Sequence, residues 1–311
     1  MTQAPPESWT TRKLLAWMTK AFEDKGLDAP RRQAEMLMAH VIGCERLKLY
    51  MDPDRPTAPL ERDNLRGLVK RALNNEPIQY LVGEEHFFAM TFKVDKRVLI
   101  PRPSTLTIVE AVLQHARKNP DSGSVRDSDA GSGILIADVC TGSGCIAAAL
   151  AKHLPGARVV ATDISPDALA VARINIEAHE LADRVDLLEG DGLDALRQHP
   201  VAGRARSLRY LCSNPPYIPD DEWDAVEPNV KDHEPTLALR GGPDGMDLVR
   251  PLIANGPAFL EQTGLLLVEL AAARAPDALA LAEAHPDLTN ARILKDSDGL
   301  PRVLVAERKP R

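Results

Sequence analysis

Ile134-Leu135-Ile136-Ala137-Asp138-Val139 passes directly into Cys140-Thr141-Gly142-Ser143-Gly144 and then into the alanine-rich segment Cys145–His153. A short apolar run closed by a Gly-rich turn predicts a buried strand, and the segment after it predicts a helix. Glycines in such a turn let the backbone approach a ligand closely. The helix start adds N–H groups that have no partner inside the helix. The same turn also closes ordinary α/β units, so its meaning depends on its surroundings.

Downstream the pattern repeats. Arg158–Thr162, Arg184–Leu188, Leu208–Ser213, Gly264–Leu270, Ala291–Lys295 and Val303–Ala306 are further β-prone runs, with helical segments between most of them. With Ile134–Val139 they predict a seven-stranded, mainly parallel sheet covered on both faces, an α/β fold. Upstream, residues 8–75 read as helical. Ser8 can cap a helix whose stripe is Leu14, Trp17, Met18 and Phe22. Pro30 opens a second, with Ala34, Leu37, Met38 and Val41 on one face and Gly43 at its end. A third runs from near Pro59 to about Asn74. Together they suit a small bundle that docks rather than catalyses.

Between these halves, Phe87, Phe88, Met90, Phe92, Val94, Val98 and Ile100 suggest a two-stranded hairpin with its turn near Asp95-Lys96. Pro101-Arg102-Pro103 breaks the pattern before a helix at 104–118, and the Gly-, Ser- and Asp-rich residues 119–133 read as a surface loop. The expected division is therefore a helical docking domain at 1–77, a hairpin linker at 78–103 and a catalytic domain at 104–311.

Hydrophobic residues make up 44% of the 311 and charged residues 27%, an ordinary balance for a chain with a sizeable core. The net charge is −7, the wrong sign for coating bare nucleic acid. Residues 1–100 hold 16 basic and 14 acidic side chains against 22 and 31 in the remainder, so the acidic excess lies in the strand-rich part. Cys44, Cys140, Cys145 and Cys212 form no metal-type cluster and read as free thiols. No apolar run is long enough to span a membrane, and the start of the chain lacks a signal-like apolar core. Cytoplasm is the expected location, with no membrane contact and no metal.

Acidic residues mark three successive strand ends. Asp138 precedes the turn. Asp163 ends the second strand, where a carboxylate can accept hydrogen bonds from ribose hydroxyls. Asp191, beside Gly192, sits where an adenine edge can be read. Ligands of open α/β sheets bind along that rim. The turn is not G-x-G-x-x-G, so a dinucleotide fits poorly. Seven strands with an acid before the turn resemble instead the Rossmann-like class I methyltransferase fold, which implies S-adenosylmethionine as cofactor.

After the fourth strand comes Ser213-Asn214-Pro215-Pro216-Tyr217. An amide nitrogen is a poor nucleophile because its lone pair is delocalised into the carbonyl. Acceptors on a stiff frame can hold both of its hydrogens and aim it. The Asn214 side-chain oxygen and the Pro215 carbonyl are suited to this, and Tyr217 can pack on a planar substrate group. Positioning of this kind can supply several kcal/mol, and a water-poor site favours transfer from a sulfonium. No metal or general base is called for.

On these residues the chain resembles the bacterial release factor glutamine methyltransferases over nearly its whole length. Leu14-Leu15-Ala16-Trp17, Pro30-Arg31, Ala39–Gly43, Glu76–Gly83, Val98–Pro103 and the tail Asp296–Ala306 carry the likeness alongside the two motifs. The resemblance implies N5-methylation of the glutamine in the Gly-Gly-Gln motif of class I release factors, with the helical domain helping to hold the protein substrate. It places Thr141, Gly142, Ser143, Gly144, Asp163, Gly192 and Asn214 on the cofactor, and Asn214, Pro215, Pro216 and Tyr217 on the glutamine. It also brings the run from His233-Glu234-Pro235 to Asp244-Gly245 near the site.

The chain departs from that family at Cys140, where glycine is usual, at Leu106, where an acid is usual, and after Glu269. The sister enzymes that methylate a glutamine of a large-subunit ribosomal protein often have Cys at the first of these. Alternative readings are therefore such a ribosomal-protein enzyme, a DNA adenine-N6 methyltransferase, which meets the same geometric problem at an exocyclic amine, and a docking protein without activity. A monomer is expected, with no sequence-specific nucleic-acid binding. Arg62, Arg66 and Lys70 recur every four residues and form either a solvated face or a patch for an acidic protein.

Overall fold

Thr10 caps the first helix through its hydroxyl, which accepts from Lys13 N at 3.4 Å. The expected cap, Ser8, lies outside the residues that this computed structural model describes, 9–119 and 133–310; so does nearly all of the 119–133 loop. The chain up to Glu84, together with Glu227–His233, makes one compact unit. Its helices are α1 (Thr11–Lys25), α2 (Pro30–Ile42), α3 (Pro59–Leu73) and α4 (Ile78–Val82). Leu14, Leu15, Met18 and Phe22 of α1 are buried with Ala34, Leu37 and Met38 of α2 and Leu65 and Val69 of α3. Trp17 is not part of that stripe. It is 47% exposed, because the buried face runs through Leu15 and turns Trp17 outward.

Glu85–Val226 and the chain from Glu234 onward form the second unit. It begins with a hairpin of β1 (Glu84–Phe87) and β2 (Met90–Lys93). The turn falls at Phe88-Ala89, not at Asp95-Lys96. Both turn residues have positive φ, 48° and 57°, which matches the right-handed twist of paired strands. Asp95 closes a separate turn by accepting from Arg97 N and Val98 N. Residues 78–82, at the start of the expected hairpin segment, are helical instead.

After α5 (Leu106–Lys118) the sheet and its helices alternate: β3 (Leu135–Val139), α6 (Cys145–His153), β4 (Arg158–Asp163), α7 (Pro166–Ala178), β5 (Val185–Glu189), α8 (Gly192–Arg197) and β6 (Leu208–Ser213). The short α9 (Pro228–Lys231) belongs to the first unit. Then come α10 (Val249–Asn255), β7 (Leu260–Glu269), α11 (Ala275–Ala284), β8 (Leu288–Lys295) and β9 (Pro301–Arg308). The strand order is β5-β4-β3-β6-β7-β9-β8, parallel except for β9. Alternation of side chains feeds two cores. Ile136, Tyr210, Leu267 and Val305 pack on one face with α5 and α6, whereas Ala137, Leu211, Leu266 and Leu304 pack on the other with α8, α10 and α11. The order of connection reverses between β3 and β6, the switch point at which open sheets leave a crevice.

Candidate active site

A cleft opens at that switch point. Its wall includes residues just beyond the carboxyl ends of β3, β4, β5 and β6: Thr141, Asp163, Asp191 and Asn214.

The turn after β3 is held from beneath. Asp138, with no solvent exposure, accepts from Thr141 Oγ1 at 2.6 Å and from Ala147 N at 3.1 Å, joining the two sides of the loop. Burial pushes its carboxyl up to about 7. Asp138 does not line the cleft, so its place is inside the turn rather than against a ligand. From the side, Asn175 on α7 donates to Ser143 O at 2.8 Å and exchanges hydrogen bonds with the Lys93 backbone, tying the hairpin to the turn. Cys140 lies at φ 64°, a left-handed conformation that glycine adopts without strain.

Asp163 accepts from Gly142 N and Ser165 N, each at 2.9 Å, which leaves lone pairs free on both oxygens. Burial raises its pKa. Gly142 and Gly192 both line the cleft with positive φ, and a Cβ at either would stand in open space. Val98, Leu99, Ile146 and Leu248 supply apolar wall, and Ile164 stands half exposed beside Asp163. An open glycine cradle, a carboxylate one strand away and apolar walls suit a nucleoside-bearing cofactor with a polar tail. Among the described residues no cluster of His, Cys, Asp or Glu has the makings of a metal site.

The tetrapeptide follows β6, whose last residue, Ser213, donates to Val139 O at 2.7 Å. Asn214 is half-buried on the cleft wall and donates from Nδ2 to Thr105 Oγ1 at 3.1 Å. Pro216 also lines the cleft, whereas Pro215 is buried and lines none of it. Tyr217, partly buried, lines none of the cleft either. Its hydroxyl donates to Glu269 Oε1 at 3.3 Å, and burial drives its pKa up. Glu269, at the end of β7 with no exposure, also accepts from Ser104 Oγ at 2.8 Å and Thr105 Oγ1 at 2.7 Å.

Residues 234–247 brace the site. Glu234 is buried, accepts from Ile100 N at 3.0 Å and pairs with Arg102, bringing Pro101 and Pro235 to one wall. Ile218 N donates to Leu239 O, and Gly241 N donates to Ile218 O. A Cβ on Gly241 would lie 2.7 Å from Tyr217 Cα and 2.8 Å from Pro216 O. The run singled out as near the site is therefore partly its wall and partly its floor.

No role was read in the sequence for Thr105, Ser104, Glu269 or Asn175; only the neighbouring Leu106 and the residues after Glu269 stood out, as departures from a pattern. One signal was available for Glu269: an acid that ends the apolar run Leu265–Val268 can be buried with the strand only if it has partners. Leu106, where the family has an acid, packs half-buried against the core.

Comparison with known proteins adds three observations. The family model described as PrmC N-terminal domain matches residues 13–83, and the one described as Methyltransferase domain matches residues 136–231. The release factor glutamine methyltransferase of Chlorobaculum tepidum is 42% identical over 262 residues, covering 84% of this chain and 85% of the relative. Those of Rhodopirellula baltica and Geobacter sulfurreducens are each 37% identical, covering 96% of this chain and 97% of the relative.

Proposed function

The chain belongs to the release factor glutamine methyltransferase family, and on that premise we propose that it moves a methyl group from S-adenosylmethionine to the N5 of the glutamine in the Gly-Gly-Gln motif of class I peptide chain release factors. The observation that carries this reading is the placement of the Asn214 amide on the wall of the same cleft as the Gly-rich cradle. Thr141, Gly142, Ser143 and Gly144 would hold the cofactor's polar tail, Asp163 its ribose hydroxyls, and Asp191 and Gly192 its base. When bound, the cofactor supplies a methyl group on a positively charged sulfur.

Asn214 Oδ1 and the Pro215 carbonyl then accept the two N–H hydrogens of the glutamine amide. They aim its nitrogen along the line of transfer, and they face the charge it carries until one of its two N–H protons passes to solvent water. Pro216 closes the wall, and Tyr217 braces the frame through Glu269. The apolar lining keeps water from the methyl group. Residues 1–77 serve as the docking domain for the release factor, 78–103, which open with α4 before the hairpin, as the linker, and 104–311 as the catalytic domain. The enzyme works in the cytoplasm as a monomer, without sequence-specific nucleic-acid binding. The described residues contain no helix long and apolar enough to cross a membrane.

The test offers labelled S-adenosylmethionine together with a class I release factor, a large-subunit ribosomal protein or duplex DNA, and maps the methylated position. Label on the Gly-Gly-Gln glutamine is expected. Label confined to a ribosomal-protein glutamine or to adenine overturns the assignment.

A further inference from the structure

We infer that Thr105 and Glu269 decide which way the Asn214 amide faces, and that they are positioning residues for methyl transfer; the catalytic half of this inference rests on the function proposed above. A side-chain amide is nearly symmetric in shape, with an acceptor oxygen on one side and a donor NH₂ on the other. Only one of its two orientations presents an acceptor to an incoming N–H. The other sets donor against donor. The Asn-Pro-Pro-Tyr frame fixes where Asn214 sits but does not by itself choose between the two.

The choice is made by protons behind it. Thr105 Oγ1 lies 2.7 Å from Glu269 Oε2 and 3.1 Å from Asn214 Nδ2. A hydroxyl has one proton to give. An ionised carboxylate can only accept, and Glu269 collects hydroxyls from Ser104, Thr105 and Tyr217. Burial raises the Glu269 carboxyl, and these three donors favour its charged form against that. With its proton committed to Glu269, Thr105 can only accept from Asn214. Nδ2 must therefore face Thr105, and Oδ1 is turned away from it. Reversing the amide would lose that hydrogen bond and set oxygen lone pairs against each other. The acid that orders the site thus sits on β7 and acts through the residue just before α5, both far from the tetrapeptide in sequence.

Thr105→Val keeps the shape and removes the acceptor, whereas Thr105→Ser keeps the hydroxyl. In the full chain, Thr105→Val should lower kcat roughly tenfold, equivalent to about 1.4 kcal/mol. The KM for the release factor and the Kd for S-adenosylmethionine should stay within about twofold, and Thr105→Ser should recover kcat to within about threefold. Wild-type kcat in Thr105→Val, or equal loss in Thr105→Ser, overturns the inference. A second readout does not depend on turnover. The Asn214 side-chain NH₂ resonance, identified by its loss in Asn214→Asp, should show one proton slowed in exchange in wild type and Thr105→Ser but not in Thr105→Val. Equal exchange in wild type and Thr105→Val refutes the orientation. A slowed proton in a wild type that methylates no release factor would sink the proposed substrate and leave the orientation standing.

Discussion

Gly241→Ala tests whether the floor beneath the tetrapeptide sets the rate. A methyl group there would meet Tyr217 Cα at 2.7 Å, Pro216 O at 2.8 Å and Gly245 Cα at 2.9 Å. All three are backbone atoms in a braced loop, so none can rotate aside. Reaching ordinary contact near 3.4 Å requires the tetrapeptide to shift by about 0.6–0.7 Å. Gly241 does not have positive φ, so the effect is one of space alone. Misplacement on the scale of 1 Å can cost about a hundredfold in rate even when it starts away from the chemistry. We therefore expect kcat to fall by one to two orders of magnitude, with stability reduced by about 1–3 kcal/mol as in other overpacked sites. S-adenosylmethionine affinity should hold, because the cradle at 141–144 is built by β3, α6 and α7. The assay is steady-state methyl transfer to a release factor, with calorimetric binding of the cofactor and a thermal melt. Gly156→Ala, where a Cβ meets nothing within 4 Å, is the control. Wild-type kcat in Gly241→Ala would refute the idea that the 239–247 loop holds the tetrapeptide in register.

Asn214→Ala should lower kcat by about 10²–10³ while the protein still folds cooperatively, and equal activity would sink the mechanism. Asp138, pushed up to about 7, keeps a proton in the folded protein that the unfolded chain has released above about pH 4. Its contribution to stability therefore declines as pH rises through 5–7, by up to about 1.4 kcal/mol per pH unit. His115, lowered to about 4 by burial, acts in the opposite sense below pH 6.5, so urea-derived stabilities of wild type and Asp138→Asn are compared as a difference. A wild-type-minus-variant slope that is flat or positive over pH 5–7 contradicts the assignment. Cys140→Val places a β-branched side chain at φ 64° and should cost about 1–3 kcal/mol, whereas Cys140→Gly should not lower the melting point; equal melts would show that the turn carries no strain. On α3, Arg62 donates to Thr57 O and Arg66 pairs with Asp63, while Lys70 is exposed. Reversing the charges of Arg66 and Lys70 should raise the KM for the release factor without changing kcat, and an unchanged KM dismisses the patch as a docking surface.

Local patterning made much of the fold legible. Cys145–His153 is helical over the span its composition suggested because Gly144, in a left-handed conformation, starts it. Leu208–Ser213 is a strand over its full expected length because the run is apolar at both faces of a buried sheet. The hairpin turn was misread because Phe88-Ala89 contains none of the Gly, Asn or Asp that usually mark positive φ, whereas Asp95-Lys96 looks like a turn and is one of another kind. Trp17 was misread because helical spacing allows adjacent stripes, and only packing chooses between them. The two motifs were visible since each is contiguous. Their supports were not: Thr105 and Ser104 reach Glu269 across 164 and 165 residues, and Asn175 reaches Lys93 across 82. Contacts between single residues at such separations leave no periodic trace.

The place of β9 bears on how the enzyme is made. It follows β8 in the chain, yet it lies between β7 and β8, and Val303 pairs with Glu269 itself. Until β9 has been made and has folded in, β7 has an unpaired edge, and the strand end that carries Glu269 lacks one of its two neighbours. In that interval the chain exposes a sheet edge open to pairing with other chains. A short deletion within β9 would act on the reaction centre, although it lies far along the chain from both motifs.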